Sequence, residues 1–277
     1  MSRSIHDRTQ AFDGLAKNYN QARPTYPREM YDAIVEYWKA GNSSAVASKP
    51  PVIVDVGCGT GISTRALHAA LNGNCDMMGI EPGKDMLTTA INASPENIQY
   101  KSGSAESIPV EDASVDIITA AQAAQWFKRP SFYNETQRAL KRGGVVAIYE
   151  NNRDWENSKF LEKHEEFLEA HSVDPKTQER YSRHYRDFPY EKELAENFED
   201  AKTYTFFWNR KMTPEKFLEM TKTSTQVKRA TKAIGEKEVD RYILENANQH
   251  VGDDNQVDVS YNTKLYMARK PTFGPHL

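Results

Sequence analysis

The apolar run Val52-Ile53-Val54-Asp55-Val56 ends in an alternation of glycines, Gly57, Gly59 and Gly61. Packed β-branched residues of this kind predict a short buried strand, and the glycines mark a sharp turn into a helix. Asp76–Ile80, Val115–Ala120 and Val145–Tyr149 read as further buried strands. Between them lie stripes at helical spacing. Thr64 to Leu71 follows the glycines, Met86, Leu87, Ala90 and Ile91 share one face after Gly83, and Pro130-Ser131 opens a helix that Lys141-Arg142-Gly143 should end. This alternation of strand and helix predicts an α/β, doubly wound sheet whose ligand crevice lies at the carboxyl ends of the strands.

Outside this body the pattern changes. Pro24 and Pro27 exclude helix near the N-terminus, whereas Tyr31, Ile34, Val35 and Trp38 give the next segment one apolar face. Residues 42–51 read as a small-residue linker ending in proline. From 151 to 200 the chain turns polar, with Phe160, Phe167 and Leu168 at helical spacing and a cationic cluster from Arg180 to Arg186. Acids such as Glu162, Glu165, Glu166 and Glu179 lie close enough in sequence to neutralise that cluster. Tyr204, Phe206 and Trp208 alternate as a strand, and Thr213-Pro214-Glu215 starts a helix. Phe217, Met220, Thr221, Ser224 and Val227 run down one face, and Val239, Tyr242 and Ile243 predict one more helix. The alternation from Val257 to Met267 fits an antiparallel strand at the sheet edge.

Composition narrows the function classes. The 277 residues carry 36 Lys plus Arg against 39 Asp plus Glu, a formal net charge of −3. That balance gives no general attraction to nucleic acid or anionic membranes. Two cysteines, Cys58 and Cys75, are too few for a disulfide framework, and neither lies in a metal-ligand pattern. The polar N-terminus and the lack of a long apolar run predict a soluble cytoplasmic protein.

The glycine turn carries the chemistry. Its backbone can approach a ligand closely, and the N–H groups opening the next helix can bind it. The spacing G-x-G-x-G differs from the G-x-G-x-x-G of dinucleotide sites, Asp55 would repel a pyrophosphate, and no Gly-Lys-Ser/Thr follows as a phosphate loop requires. Asp55-Val56-Gly57-Cys58-Gly59-Thr60-Gly61 resembles motif I of the class I S-adenosylmethionine-dependent methyltransferases. Later stations agree in order: Glu81-Pro82 after the second strand, Gly103 to Pro109, Val115 to Ala120, and Leu140 to Gly144. The resemblance covers roughly residues 50 to 150. It implies a Rossmann-like seven-stranded sheet with a cap insertion after strand five, and S-adenosylmethionine as cofactor. It also implies a cofactor site at Asp55, Gly57, Gly59, Gly61, Glu81, Pro82, Ser104, Ala105, Glu106 and Gln122, with Glu81 on the ribose diol.

Tyr19, Arg23-Pro24-Thr25-Tyr26-Pro27 is similar to the N-terminal segment of small-molecule methyltransferases of the fungal trans-aconitate type, where it lies over the pocket. By that resemblance Tyr19, Arg23, Tyr26 and Trp126 shape an acceptor site for a small molecule. Gln125 stands where that type has a histidine, and Thr223-Ser224 where it often has Trp-Ser. No catalytic residue or metal is expected, because methyl transfer from an activated sulfonium needs chiefly alignment. The expected organisation is one structural domain: residues 1–50 as an arm and helix over the site, 51–150 as the cofactor-binding core, 151–200 as the cap, and 201–277 completing the sheet. The expected activity is methyl transfer to a small acceptor, with a carboxylic acid giving a methyl ester as one reading. An N- or O-methyltransferase of a neutral or amine metabolite, and a non-catalytic cofactor-binding protein, are the alternatives.

Overall fold

A computed structural model describes residues 23–184 and 187–271. Its centre is a seven-stranded sheet of order β3-β2-β1-β4-β5-β7-β6. The strands are β1 (Val52–Val56), β2 (Asp76–Ile80), β3 (Ile98–Lys101), β4 (Val115–Ala121), β5 (Leu140–Arg153), β6 (Glu199–Met212) and β7 (Val257–Arg269). β1 to β5 pair in parallel, and β7 runs antiparallel between β5 and β6. Parallel strands covered on both faces read as continuous apolar runs, which is why β1 and β4 are buried at nearly every position.

Helices cover both faces. α1 (Arg28–Ala40) lays Met30, Tyr31, Ile34 and Trp38 on one face, with Ile53, Ile117, Tyr149 and Leu265 beneath them. Fully burying a large apolar side chain such as Trp38, 1% exposed, contributes roughly 1.5–3 kcal/mol. α2 (Ile62–Ala70) follows the glycine turn, and α3 (Lys84–Ala93) links β2 to β3. On the other face α4 (Arg129–Ala139) and α6 (Tyr190–Asn197) bring Phe132, Tyr133, Tyr190 and Leu194 against Val146 and Ile148.

A third cluster lies beyond the sheet proper. α5 (Lys159–His171) packs Phe160, Leu161 and Phe167 with Phe217, Met220, Val227 and Ile243. Those partners come from α7 (Pro214–Lys222), α8 (Thr225–Ile234) and α9 (Glu236–Asn248). This cluster, called the cap below for its place over the cavity, draws on both sides of β6 and not on residues 151–200 alone, and α6 within that span packs on the sheet. Its floor is Val257, Val259 and Tyr261, the start of β7.

Two local expectations change. Residues 141–143 do not end α4, which stops at Ala139; they open β5, with Gly143 at φ +73 where the pairing with β4 shifts register. Such a shift is a β-bulge. The stripe from Phe217 to Val227 is split into α7 and α8, because Ser224 adopts extended dihedrals and its hydroxyl accepts from Val227 N–H, capping α8.

Candidate cofactor and acceptor site

A cavity of about 680 Å³ opens at the carboxyl ends of β1, β2, β4 and β5 and continues under the cap. The glycine turn forms its inner wall. Gly57 and Cys58 N–H both donate to Ile80 carbonyl, at 2.8 and 3.0 Å, so the turn is fixed to the end of β2. Gly57 is at φ +69, and a Cβ there would lie 2.8 Å from that of Ala123. Gly59 is at φ +57, and a Cβ there would project into open space. A ligand lying along that bare backbone would find its van der Waals surface where a side chain would otherwise stand.

Glu81 follows directly after β2. Its Oε2 accepts from Gly59 N–H at 2.9 Å and its Oε1 from Gly83 N–H at 2.7 Å. Burial pushes its carboxyl pKa up, and these two N–H groups partly offset that. Each oxygen keeps a further lone pair toward the cavity, the requirement for accepting from a vicinal diol. Thr60 and Gln122 line the same space, and their buried side-chain oxygens, Oγ1 and Oε1, have no hydrogen-bond partner among the described residues. Buried orphans of this kind cost free energy unless a ligand or water satisfies them. The bare turn, the held carboxylate and the two orphans fit a nucleoside carrying hydroxyl and amine donors.

Pro82, Ser104, Ala105, Glu106 and Gln122 also line the cavity. Asp55 and Gly61 do not. Asp55 lies beneath the turn, fully buried, and its carboxylate accepts from Thr64 at 2.6 Å and Thr119 at 2.8 Å. Burial raises its pKa to about 6, against the two hydroxyls that lower it. It ties β1 to β4 and α2, so its contact with the turn is from behind. Gly61 is the hinge into α2, backed by Tyr100 and Arg65.

The acceptor side is built from the segment before α1. Asn151 Nδ2 donates to Thr25 carbonyl at 3.0 Å, holding this segment on β5, and Arg23 Nε donates to Thr223 Oγ1 at 2.9 Å, tying it to the cap. Arg23, Tyr26 and Trp126 line the cavity; Tyr19 lies outside the described residues. Tyr26 stands edge-on to Tyr149, 4.9 Å between centroids, and Tyr149 Oη is 2.5 Å from Ser63 Oγ. Gln125 is not in the wall. Its amide donates to Gln122 carbonyl at 2.9 Å and braces the turn after β4. Thr223 anchors Arg23 and Ser224 lines the cavity, so the pair marked in the sequence does meet the site.

Sequence reasoning missed the cap's contribution. Arg153 Nε donates to Glu165 at 2.6 Å, and Tyr181 donates to the other carboxylate oxygen at 2.7 Å. Burial alone would raise the Glu165 pKa, but the Arg153 guanidinium and Tyr181 hold it below the ordinary carboxylate range. From the cationic cluster, Arg183 lines the cavity, stacked 4.9 Å from the Trp155 ring and chelated by Glu169. Tyr185 and Arg186 lie outside the described residues. Acids twelve to sixteen positions away, visible in the sequence, were the only signal of these pairs. Among the described residues no group of three or more His, Cys, Asp and Glu is placed to hold a metal, and no helix is long and apolar enough to cross a membrane.

Residues 54–148 match the family described as a methyltransferase domain. A Dictyostelium discoideum protein that carries the name methyltransferase is 33% identical over 138 residues, 50% of this chain and 48% of its own. A malonyl-[acyl-carrier protein] O-methyltransferase of Marinomonas is 30% identical over 141 residues, 48% of this chain and 50% of its own. The chain thus spans about half the length of the curated relatives it matches. A protein of Anaeromyxobacter dehalogenans described as a type II methyltransferase shares the fold, with a TM-score of 0.65, 22% identity, and coverage of 90% of this chain and 99% of that one. So does a Haemonchus contortus N-methyltransferase solved with S-adenosylhomocysteine, at a TM-score of 0.51 and 18% identity, over 98% of this chain and 60% of that one. These matches make residues 54–148 a methyltransferase domain, a family that implies S-adenosylmethionine as methyl donor, and the sheet order is the fold its solved neighbours share.

Proposed function

We propose that the protein is a methyltransferase for a small-molecule acceptor, and that the group methylated is a carboxylate, giving a methyl ester. When bound, the cofactor supplies a methyl group already activated by sulfonium charge. The chain's own residues have to bind, align and exclude water, and alignment alone can supply roughly 7–11 kcal/mol of barrier lowering. In this reading Glu81 accepts from the ribose diol. Gly57 and Gly59 give backbone access, Asp55 and Gly61 support the turn from behind, and Pro82, Ser104, Ala105, Glu106 and Gln122 enclose the nucleoside.

The observation that carries the acceptor class is Arg23, a guanidinium at the cavity wall held by Thr223 between sheet and cap. A carboxylate has a reference pKa near 4 and is already a nucleophile at neutral pH, so it needs a positioning cation and no base. Three acids of the wall support the same choice. Glu165 is bonded to Arg153 and Tyr181, Asp154 accepts from Asn157, and Asp187 lies 3.0 Å from the His184 ring. An amine acceptor would require a base, and these carboxylates are already engaged. The likeness to the trans-aconitate type and the name of the Marinomonas relative point the same way. Tyr26 and Trp126, with Tyr19 from beyond the described residues, would complete the pocket.

The test compares wild type with Arg23→Gln on a panel of mono-, di- and tricarboxylic acids and amines with labelled cofactor. Ester should form with at least one acid, and the variant should raise KM more than it lowers kcat. Labelled amine products with no ester would replace this reading by N-methylation, and no transfer to any acceptor despite cofactor binding would leave a binding protein.

A further inference from the structure

The cavity does not stop at the cofactor and Arg23. It continues over one face of the three longest strands, where side chains two apart point the same way. Register places Asn152 of β5, Asn262 of β7 and Phe207 of β6 in one row across the sheet, and Glu150, Lys264 and Thr205 in the next. Asn152, Asn262, Lys264, Thr205 and Phe207 all line the cavity. At about 5 Å per strand, the strip carries the site roughly 10 Å away from β5.

Three features of this strip have no structural use among the described residues. Lys264 makes no ion pair or side-chain hydrogen bond among the described residues. The amide of Asn262 is likewise without a side-chain hydrogen bond, and its Oδ1 is buried. Phe207 is 69% exposed, although it lies at the cavity mouth. Neighbouring charges are accounted for otherwise. Glu150 is 1% exposed and accepts from the Tyr190 hydroxyl at 3.3 Å, Asp187 is beside His184, and Arg183 is chelated by Glu169. An ammonium and an amide oxygen lacking a donor, two residues apart on one face, call for an anion with a hydrogen-bond donor next to it.

We propose that this strip is a second subsite, which binds the end of the acceptor remote from the methylated group, and that this end is a carboxylate flanked by an N–H or O–H donor. An N-acyl amino acid or a 2-hydroxy acid has that headgroup. Lys264 takes the carboxylate, Asn262 Oδ1 takes the donor, and Phe207 covers the apolar part at the mouth. The inference rests on the reading of the cavity as a cofactor and acceptor site, and it names which acceptors the far end selects.

The test is calorimetry on the full chain saturated with S-adenosylhomocysteine, titrated with an N-acylglycine, its methyl ester, and the fatty acid of matched length. The N-acylglycine should bind about tenfold more tightly than either control, the size of one charge-assisted hydrogen bond. Lys264→Met should remove its advantage over the ester, and Asn262→Ala its advantage over the fatty acid. In parallel, amine acylation of Lys264, read by mass spectrometry with and without S-adenosylhomocysteine, should be slowed by the N-acylglycine and not by the ester. Equal affinities for the three probes, an unchanged preference in Lys264→Met, or no protection of Lys264 would each overturn the subsite. Failure of S-adenosylhomocysteine to bind would instead count against the cofactor reading, and Lys264 protection would still report on the strip.

Discussion

Glu81 holds the glycine turn through Gly59 and Gly83 while presenting its remaining lone pairs to the cavity. Glu81→Ala should therefore weaken S-adenosylmethionine binding by about 1.5–3 kcal/mol, the range for hydrogen bonds to a charged group, as measured by calorimetry. Two other buried groups set opposite pH dependences. Burial, followed by the Arg153 charge, lowers the His164 pKa from 6.5 to about 3, and neither ring nitrogen has a partner among the described residues. The unfolded chain binds that proton at higher pH than the folded one, so stability falls as pH drops from 6.5 toward 3. Asp55 behaves in reverse. Its folded pKa of about 6 exceeds the ordinary 3.8, so stability falls as pH rises from 3.8 through 6. In thermal melts across this range, His164→Phe should flatten the acid-side loss, and Asp55→Asn should remove the decline toward neutral pH. Unchanged profiles in both variants would mean that neither group titrates differently on folding.

At the level of elements, the junction between α7 and α8 positions both the cap and Arg23. Ser224→Ala removes the α8 cap and should cost about 1 kcal/mol in denaturant unfolding. The sequence already contained that signal, a serine before Thr225, but the stripe from Phe217 to Val227 fits one continuous helix as well as two. Periodicity alone does not locate a break. By contrast β1, its glycine turn and Glu81 were legible, because a parallel strand buried on both faces is a local apolar run and the turn needs residues without Cβ atoms. The cap was not. Phe160 and Phe217 announce two apolar stripes, and nothing in either says that they face each other across 57 positions, with centroids 4.7 Å apart. That Asp55 lies behind the turn was not legible for a related reason. Its position before the turn is visible in the chain, but the hydroxyls of Thr64 and Thr119 that occupy its oxygens come from α2 and β4.

On the scale of the whole molecule, the sheet and the cap have separate cores joined through the long strands. Phe217, 0% exposed, is central to the cap, and Phe217→Ala should cost about 3–5 kcal/mol there. Because the cofactor wall belongs to the other cores, the variant should keep S-adenosylmethionine affinity while losing acceptor turnover, with an earlier melting step in calorimetric scans. A single transition that takes cofactor binding with it would make the two regions one cooperative unit. The strand order carries a consequence for folding in time. β5 ends at Arg153, β6 at Met212, and the strand that joins them begins only at Val257. As the chain leaves the ribosome, β6 has no strand partner among the described residues until β7 is made. The acceptor strip and the floor of the cap therefore form only once β7 has emerged, and they depend on contacts of long sequence separation that close slowly.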